Sequence, residues 1–193
     1  MKIATAYLKS VSPYSQSKHY KTEKLAKERP DDYEARTWRD RLHVTSTGYV
    51  FMPPMAFKNC LSEIAKYLGE QIPGKGKATF TKHFESGVLV LEGPTLPIKK
   101  EDVKGEWIFV PADGKRGSGK RVEKCFPLIE SWEAKVEFTI LDDTITEDVF
   151  LRHLIQAGQF IGLGRFRPRN NGYYGRFKVE RVEWQEVDLA NVA

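Results

Sequence analysis

Residues 131–141 read SWEAKVEFTIL, and no other stretch of the chain so narrows the folds open to it. Trp132, Ala134, Val136, Phe138 and Ile140 fall on one side of a pleated strand, and Glu133, Lys135 and Glu137 fall on the other. Alternation of this length specifies a strand with one face on a core and one face in water, as in an antiparallel sheet covered on one side. The cover follows in the chain. Thr144 and Glu147 form a capping-box pair ahead of a helix predicted over 146–157, where Val149, Phe150, Leu154 and Ile155 recur at helical spacing. A second helix is predicted over 54–69, opened by Pro54 at a first helical position and closed by Gly69, with Phe57, Leu61, Ile64, Ala65 and Leu68 on one stripe.

The other strands are shorter signals. Residues 2–11 carry Ile3, Thr5 and Tyr7 on one face and Ala4, Ala6 and Leu8 on the other, which reads as a central strand with both faces covered. GVLVL (87–91) and EWIFVP (106–111) read as strands. In the last strand, Phe177 and Val179 give way to Val182 and Trp184, a change of alternation near Arg181 that a β-bulge produces. The order predicts an α+β fold with a ferredoxin-like, RNA-recognition-motif-like βαββαβ core: one antiparallel sheet, two helices and long insertions. With no repeat or linker to divide it, the chain reads as a single domain over 1–193, with insertions at about 14–50 and 73–125. Within the first, KTEKLAKERPDDYEARTWRDR has helical turns broken near Pro30, and Trp38 is expected to anchor the insertion on the core.

Composition excludes several classes. At 40% hydrophobic and 12% aromatic residues the chain is no disordered polymer. It has no apolar run near the ~20 residues of a membrane span. The amino terminus lacks an apolar h-region and a small-residue cleavage site, so a cytoplasmic protein is expected. Cys60 and Cys125 make neither a disulfide framework nor a zinc spacing and are expected to be buried thiols. His19, His43, His83 and His153 are scattered, Asp142 and Asp143 read as turn and helix-dipole residues, and no metal or cofactor is implied. GKRGSGKR is not a phosphate-binding P-loop, because Arg121 stands where that motif needs Ser or Thr.

The net charge is only +5, but its placement is uneven. Residues 157–177, AGQFIGLGRFRPRNNGYYGRF, hold Arg165, Arg167, Arg169 and Arg176 with five glycines and no acid. Such a run repels itself without an anion, while Gly162 and Gly164 let backbone approach a ligand closely. Guanidinium groups and glycine N–H donors together suit phosphate, and Tyr173 and Tyr174 suit stacked bases, one of the two being expected to pack inward. Lys115, Arg116, Lys120 and Arg121 in GKRGSGKR, and Lys75, Lys77 and Lys82 in PGKGKATFTKH, also join glycine to positive charge. The acids gather instead at 130–148 and 180–188, which suggests one basic surface built from several loops.

GLGRF (162–166) and YYGRF (173–177), placed between the second core helix and the last strand, resemble the glycine-rich loop of the RAMP superfamily, whose members build CRISPR effector backbones and process their guides. The SPYSQSK loop after the first strand, ending at Lys18, and the basic insertion extend the resemblance. It implies a non-catalytic protein that binds single-stranded nucleic acid, RNA in preference to DNA, as a homo-oligomer or within a multi-subunit ribonucleoprotein. Two alternatives stay open: a metal-independent endoribonuclease, with His19 the nearest acid–base candidate, and a phage-derived interaction protein on the same fold. Because Glu133, Lys135 and Glu137 occupy the open face of the strand, bases are expected to meet loops and insertions, not the sheet.

Overall fold

The computed structural model of the chain describes residues 1–115, 117 and 119–187. Its strands are β1 (Lys2–Ser10), β2 (Tyr14–Ser15), β3 (Tyr49–Phe51), β4 (Val88–Leu89), β5 (Thr95–Lys99), β6 (Lys104–Pro111), β7 (Arg121–Ile129), β8 (Glu133–Ile140) and β9 (Phe177–Glu186). Its helices are α1 (Pro30–Thr37), α2 (Pro54–Leu68), α3 (Thr81–Gly87) and α4 (Glu147–Gln156). The principal sheet has the order β4-β8-β1-β9 with every pairing antiparallel. Strand, helix, strand, strand, helix, strand with the second strand at one edge and the fourth at the other is the ferredoxin-like arrangement, in an α+β chain.

The core lies under one face of this sheet. Ala4 and Ala6 of β1 are fully buried, and their small side chains leave room for Phe138, Phe57, Leu61 and Phe150, which the two long helices and β8 bring to the same layer. Phe138 and Phe150 meet edge to face at 5.2 Å. Each such side chain contributes about 1.5–3 kcal/mol by leaving water. Helix α2 ends as its sequence requires: Gly69 takes φ +57° and its N–H donates to the Ala65 carbonyl at 3.1 Å. Helix α4 begins two residues later than the capping-box pair suggests. Thr146 is the N-cap, accepting from the Val149 N–H, while the Thr144 N–H donates to the Asp142 carboxylate at 2.8 Å in a turn.

Strand β1 is central, but its second face carries no apolar layer. Tyr7 lies half-buried beneath the Arg181 guanidinium, 3.9 Å from its ring centroid, and donates its hydroxyl to Glu183. In the β1–β9 ladder Tyr7 opposes Arg181 and Leu8 opposes Val179, so Glu180 is the extra residue of a bulge. That one residue switches the parity of β9, and Phe177, Val179, Val182 and Trp184 all reach the core side.

The insertions build a second layer. Trp38 is buried against Gly105 and Cys125, where a side chain on residue 105 would collide with the Cys125 thiol. Strands β6 and β7 form a long hairpin that β2 joins at its root. The segment assigned to an insertion at 73–125 also contains the sheet's own edge strand, and only Val88 and Leu89 of GVLVL pair there. Both cysteines are buried free thiols; burial raises the Cys60 thiol to about 12 and the Cys125 thiol to about 11.

His153 on α4 is fully buried, stacked on Phe84 at 4.4 Å, with Nδ1 donating to the Val149 carbonyl at 2.7 Å and Nε2 without a partner among the described residues. Burial lowers its pKa, so the folded chain holds the neutral ring while the unfolded chain protonates near 6.5. Stability is therefore complete above that value and falls with pH below it, by at most about 1.4 kcal/mol per pH unit. Urea unfolding at pH 7.5 and 5.5 should show this loss, and His153→Leu should reduce it.

Candidate nucleic-acid interface

After α4 the chain makes one wide π-helical turn (Ala157–Ile161) and enters the glycine–arginine loop. Gly162, Gly164 and Gly175 sit at φ +71°, +76° and +77°, conformations open to glycine at little cost. The loop doubles back on itself and is stitched to the segment after β1. Leu163 N–H donates to the Gly175 carbonyl at 3.0 Å, Gly175 N–H to Pro13 at 2.7 Å, and Arg165 N–H to Ser15 at 2.8 Å. Leu163 is buried beneath it. The expectation that the loop's glycines offer N–H groups to phosphate fails for three of its five. Gly162, Gly172 and Gly175 donate to Ala157, Arg167 and Pro13, so close backbone packing is what these glycines serve.

The four arginines have different surroundings. Arg167 is paired with Glu63 of α2 at 2.8 Å and ties the loop to the helix layer. Arg176 turns back on its own loop, donating to the Gln159 carbonyl at 3.2 Å. Arg169 is exposed and pairs with no described residue. Arg165 sits over Phe126 of β7, its guanidinium carbon 3.6 Å from the ring centroid; its side chain makes no hydrogen bond to a described residue, and burial lowers its pKa. Tyr174 packs inward and donates its hydroxyl to Glu106 of β6 at 2.5 Å; burial first, then this carboxylate, raise it to about 12. Tyr173 is exposed.

Through Phe126 and Glu106 the loop rests on the root of the β6–β7 hairpin. Lys115, Lys120 and Arg121 are exposed at or beside its tip, without ion-pair partners among the described residues, and Arg116 lies outside those residues. Trp107 and Phe109, two apart on β6 and exposed by 45% and 64%, complete a basic and aromatic arm. The alternation of EWIFVP contained that signal, but without the facing strand it read only as a strand, with no face assigned to solvent. Lys18 is exposed nearby, its N–H donating to the Arg41 carbonyl.

Lys75, Lys77 and Lys82 belong elsewhere. Lys75 donates to Thr144, beyond the Ile140 end of β8, whereas the glycine–arginine loop joins β9 opposite Ser10. The nine residues of β1 separate the two ends by roughly 25–30 Å at about 3.3 Å per residue. The structure thus gathers the loop and the hairpin on one side and leaves the 73–83 lysines at the other end of the sheet. His19 is exposed and its ring makes no hydrogen bond to a described residue. His83 instead meets Asp142, Nδ1 to Oδ2 at 2.6 Å. Among the described residues no three His, Cys, Asp or Glu side chains group as a metal site, and no helix is long and apolar enough to cross a membrane.

No family model matches the chain, and no curated protein matches it in sequence. Among solved structures it is similar to the crystal structure of Cmr6 from Pyrococcus furiosus, at 13% identity and a TM-score of 0.48, over 93% of this chain and 99% of that one.

Proposed function

We propose that this chain binds single-stranded nucleic acid, RNA in preference to DNA, as a non-catalytic, cytoplasmic subunit of a CRISPR-type ribonucleoprotein, and that it assembles along the strand with copies of itself or with other subunits. The observation that carries the reading is the joint between loop and hairpin. Arg165 on Phe126 and Tyr174 on Glu106 hold the glycine–arginine loop against an arm that exposes Trp107, Phe109, Lys115, Lys120 and Arg121. Cations without counter-ions beside exposed aromatic rings suit a strand whose phosphates and unstacked bases are both accessible. The open face of the sheet competes less: Lys9 is paired with Glu133, Arg181 with Glu183, and Lys135 lies over the Tyr7 ring among acids. The likeness of GLGRF and YYGRF to the RAMP glycine-rich loop favours RNA.

Fluorescence anisotropy with labelled single-stranded RNA, single-stranded DNA and duplex tests this. Single-stranded RNA is expected to bind best and to come out intact with or without magnesium. Light scattering on the same samples should show more than one chain per strand; a monomer on bound RNA contradicts the assembly. Cleavage that His19→Ala or His83→Ala abolishes would establish the endoribonuclease alternative. Failure to bind any strand would leave the interaction protein.

A further inference from the structure

A cleft of about 260 Å³ opens where the glycine–arginine loop meets the start of α2, between Arg165 and Gly164 on one side and His43, Pro53, Ala56 and Tyr14 on the other. It is smaller than the roughly 300–1,000 Å³ of pockets that hold drug-sized molecules, so it suits a single ring system. Its polar groups are mostly occupied. The Gln16 amide donates to the Phe51 carbonyl at 2.8 Å and to the Tyr14 hydroxyl at 3.2 Å, and its oxygen accepts from the His43 N–H at 2.6 Å. At the start of α2, Pro54 has no N–H to offer, and the Ala56 N–H turns back to the Pro53 carbonyl at 3.0 Å.

What remains is one guanidinium, one imidazole, the hydroxyl of exposed Ser17 at the rim and carbon walls. Phosphate needs several converging donors, and this cleft does not supply them. A planar base needs apolar faces and a few edge contacts. The Arg165 guanidinium carbon lies 3.6 Å from the Phe126 ring centroid, its Nη1 is buried without a partner, and the side chain meets no acceptor among the described residues. The His43 ring stands edge-on to Phe51 at 5.5 Å and makes no hydrogen bond to a described residue; burial first, and then Lys18, lower its pKa, which keeps it neutral at pH 7 and ill suited to a phosphate.

Resting on the reading of the chain as a single-strand binder, we infer that this cleft is a slot for one unstacked nucleobase of the bound strand, and that Arg165 selects guanine there. Guanine presents O6 and N7 side by side, the pair of acceptors a guanidinium fork spans. The arms around the cleft then supply sequence-independent affinity, and the slot adds a preference at one position.

The test uses the full chain with a twelve-nucleotide uridine RNA and the same RNA carrying one central guanosine, adenosine or cytidine. The guanosine RNA should bind about 5- to 100-fold more tightly than the all-uridine RNA, the range set by one good bidentate pair. The adenosine and cytidine RNAs should lie within about twofold of all-uridine, below the tenfold that 1.4 kcal/mol represents. Arg165→Lys keeps the charge and removes the fork. Ala56→Leu fills the slot from α2 without changing charge, so a folding defect in one variant leaves the other informative; thermal melts accompany both. Both variants should lose the guanosine preference; Ala56→Leu, which leaves the joint on Phe126 and every charge in place, should also keep the all-uridine affinity, whereas Arg165→Lys is read by its preference alone. Equal affinity for all four RNAs, or a preference that survives both variants, overturns the slot while leaving the strand-binding reading intact. No binding of the all-uridine RNA by the unaltered chain overturns both.

Discussion

A Gly175→Val chain is expected to lose about 3–5 kcal/mol of stability, combining the strain of a β-branched residue at positive φ with overpacking against backbone. Gly175 sits at φ +77°, and a side chain there would run into the Leu163 carbonyl and amide. The same residue donates to Pro13 and accepts from Leu163, so the strained loop has no room to relax without releasing both bonds. Chemical denaturation reads the loss, and strand binding should fall with it although every charge is kept. A Gly175→Val chain as stable as the parent would show that the loop is not fixed by these contacts.

Glu34→Ala should be comparably damaging. Glu34 is buried in the first insertion, with its carboxylate paired to Arg41 at 2.8 Å and to Lys124 at 2.8 Å and accepting the Cys125 N–H at 3.0 Å. Removing the anion leaves Arg41 buried and unpaired, which typically costs about 3–5 kcal/mol. Burial pushes the Glu34 carboxyl upward, yet Lys124, the Cys125 amide and Arg41 outweigh it and hold the group below its ordinary 4.5. Its contribution is thus complete above pH 4.5 and is lost as pH falls through the lower folded value. Because this network joins α1 to β7, hydrogen exchange should show the 14–41 segment opening first. A change below about 1 kcal/mol, within the range of exposed pairs, would contradict the network's role.

The parts of the fold written in periodicity were legible in the sequence. SWEAKVEFTIL, the stripe of α2 and the parity change near Arg181, which the register fixes at Glu180, each encode burial on one face, and burial is what folding enforces. Strands β5 and β7 were not, since TLPIK and RVEKCFPLI carry proline and mixed side chains and become strands only through their partners. The basic loops were visible as composition, but their grouping was not. Which of them share a surface depends on the end of β1 they flank, and that is set by pairing register across residues more than 100 apart. The partial burial of Arg165 and the pairing of Arg167 likewise follow from Phe126 and Glu63, distant residues that no local pattern announces.

The most direct measurement of the central claim is strand affinity against salt concentration for the unaltered chain and for one in which Lys115, Lys120, Arg121 and Arg169 are all glutamine. These four side chains are exposed and lie outside the packed core, so melting temperatures should nearly coincide. Every phosphate of a single strand that is no longer neutralised lowers the slope of log affinity against log salt by about 0.7, so the fourfold variant should fall by roughly 2–3 in slope and bind all sequences more weakly. An unchanged slope and affinity would contradict the account and leave the glycine–arginine loop and its hairpin without a role in binding nucleic acid.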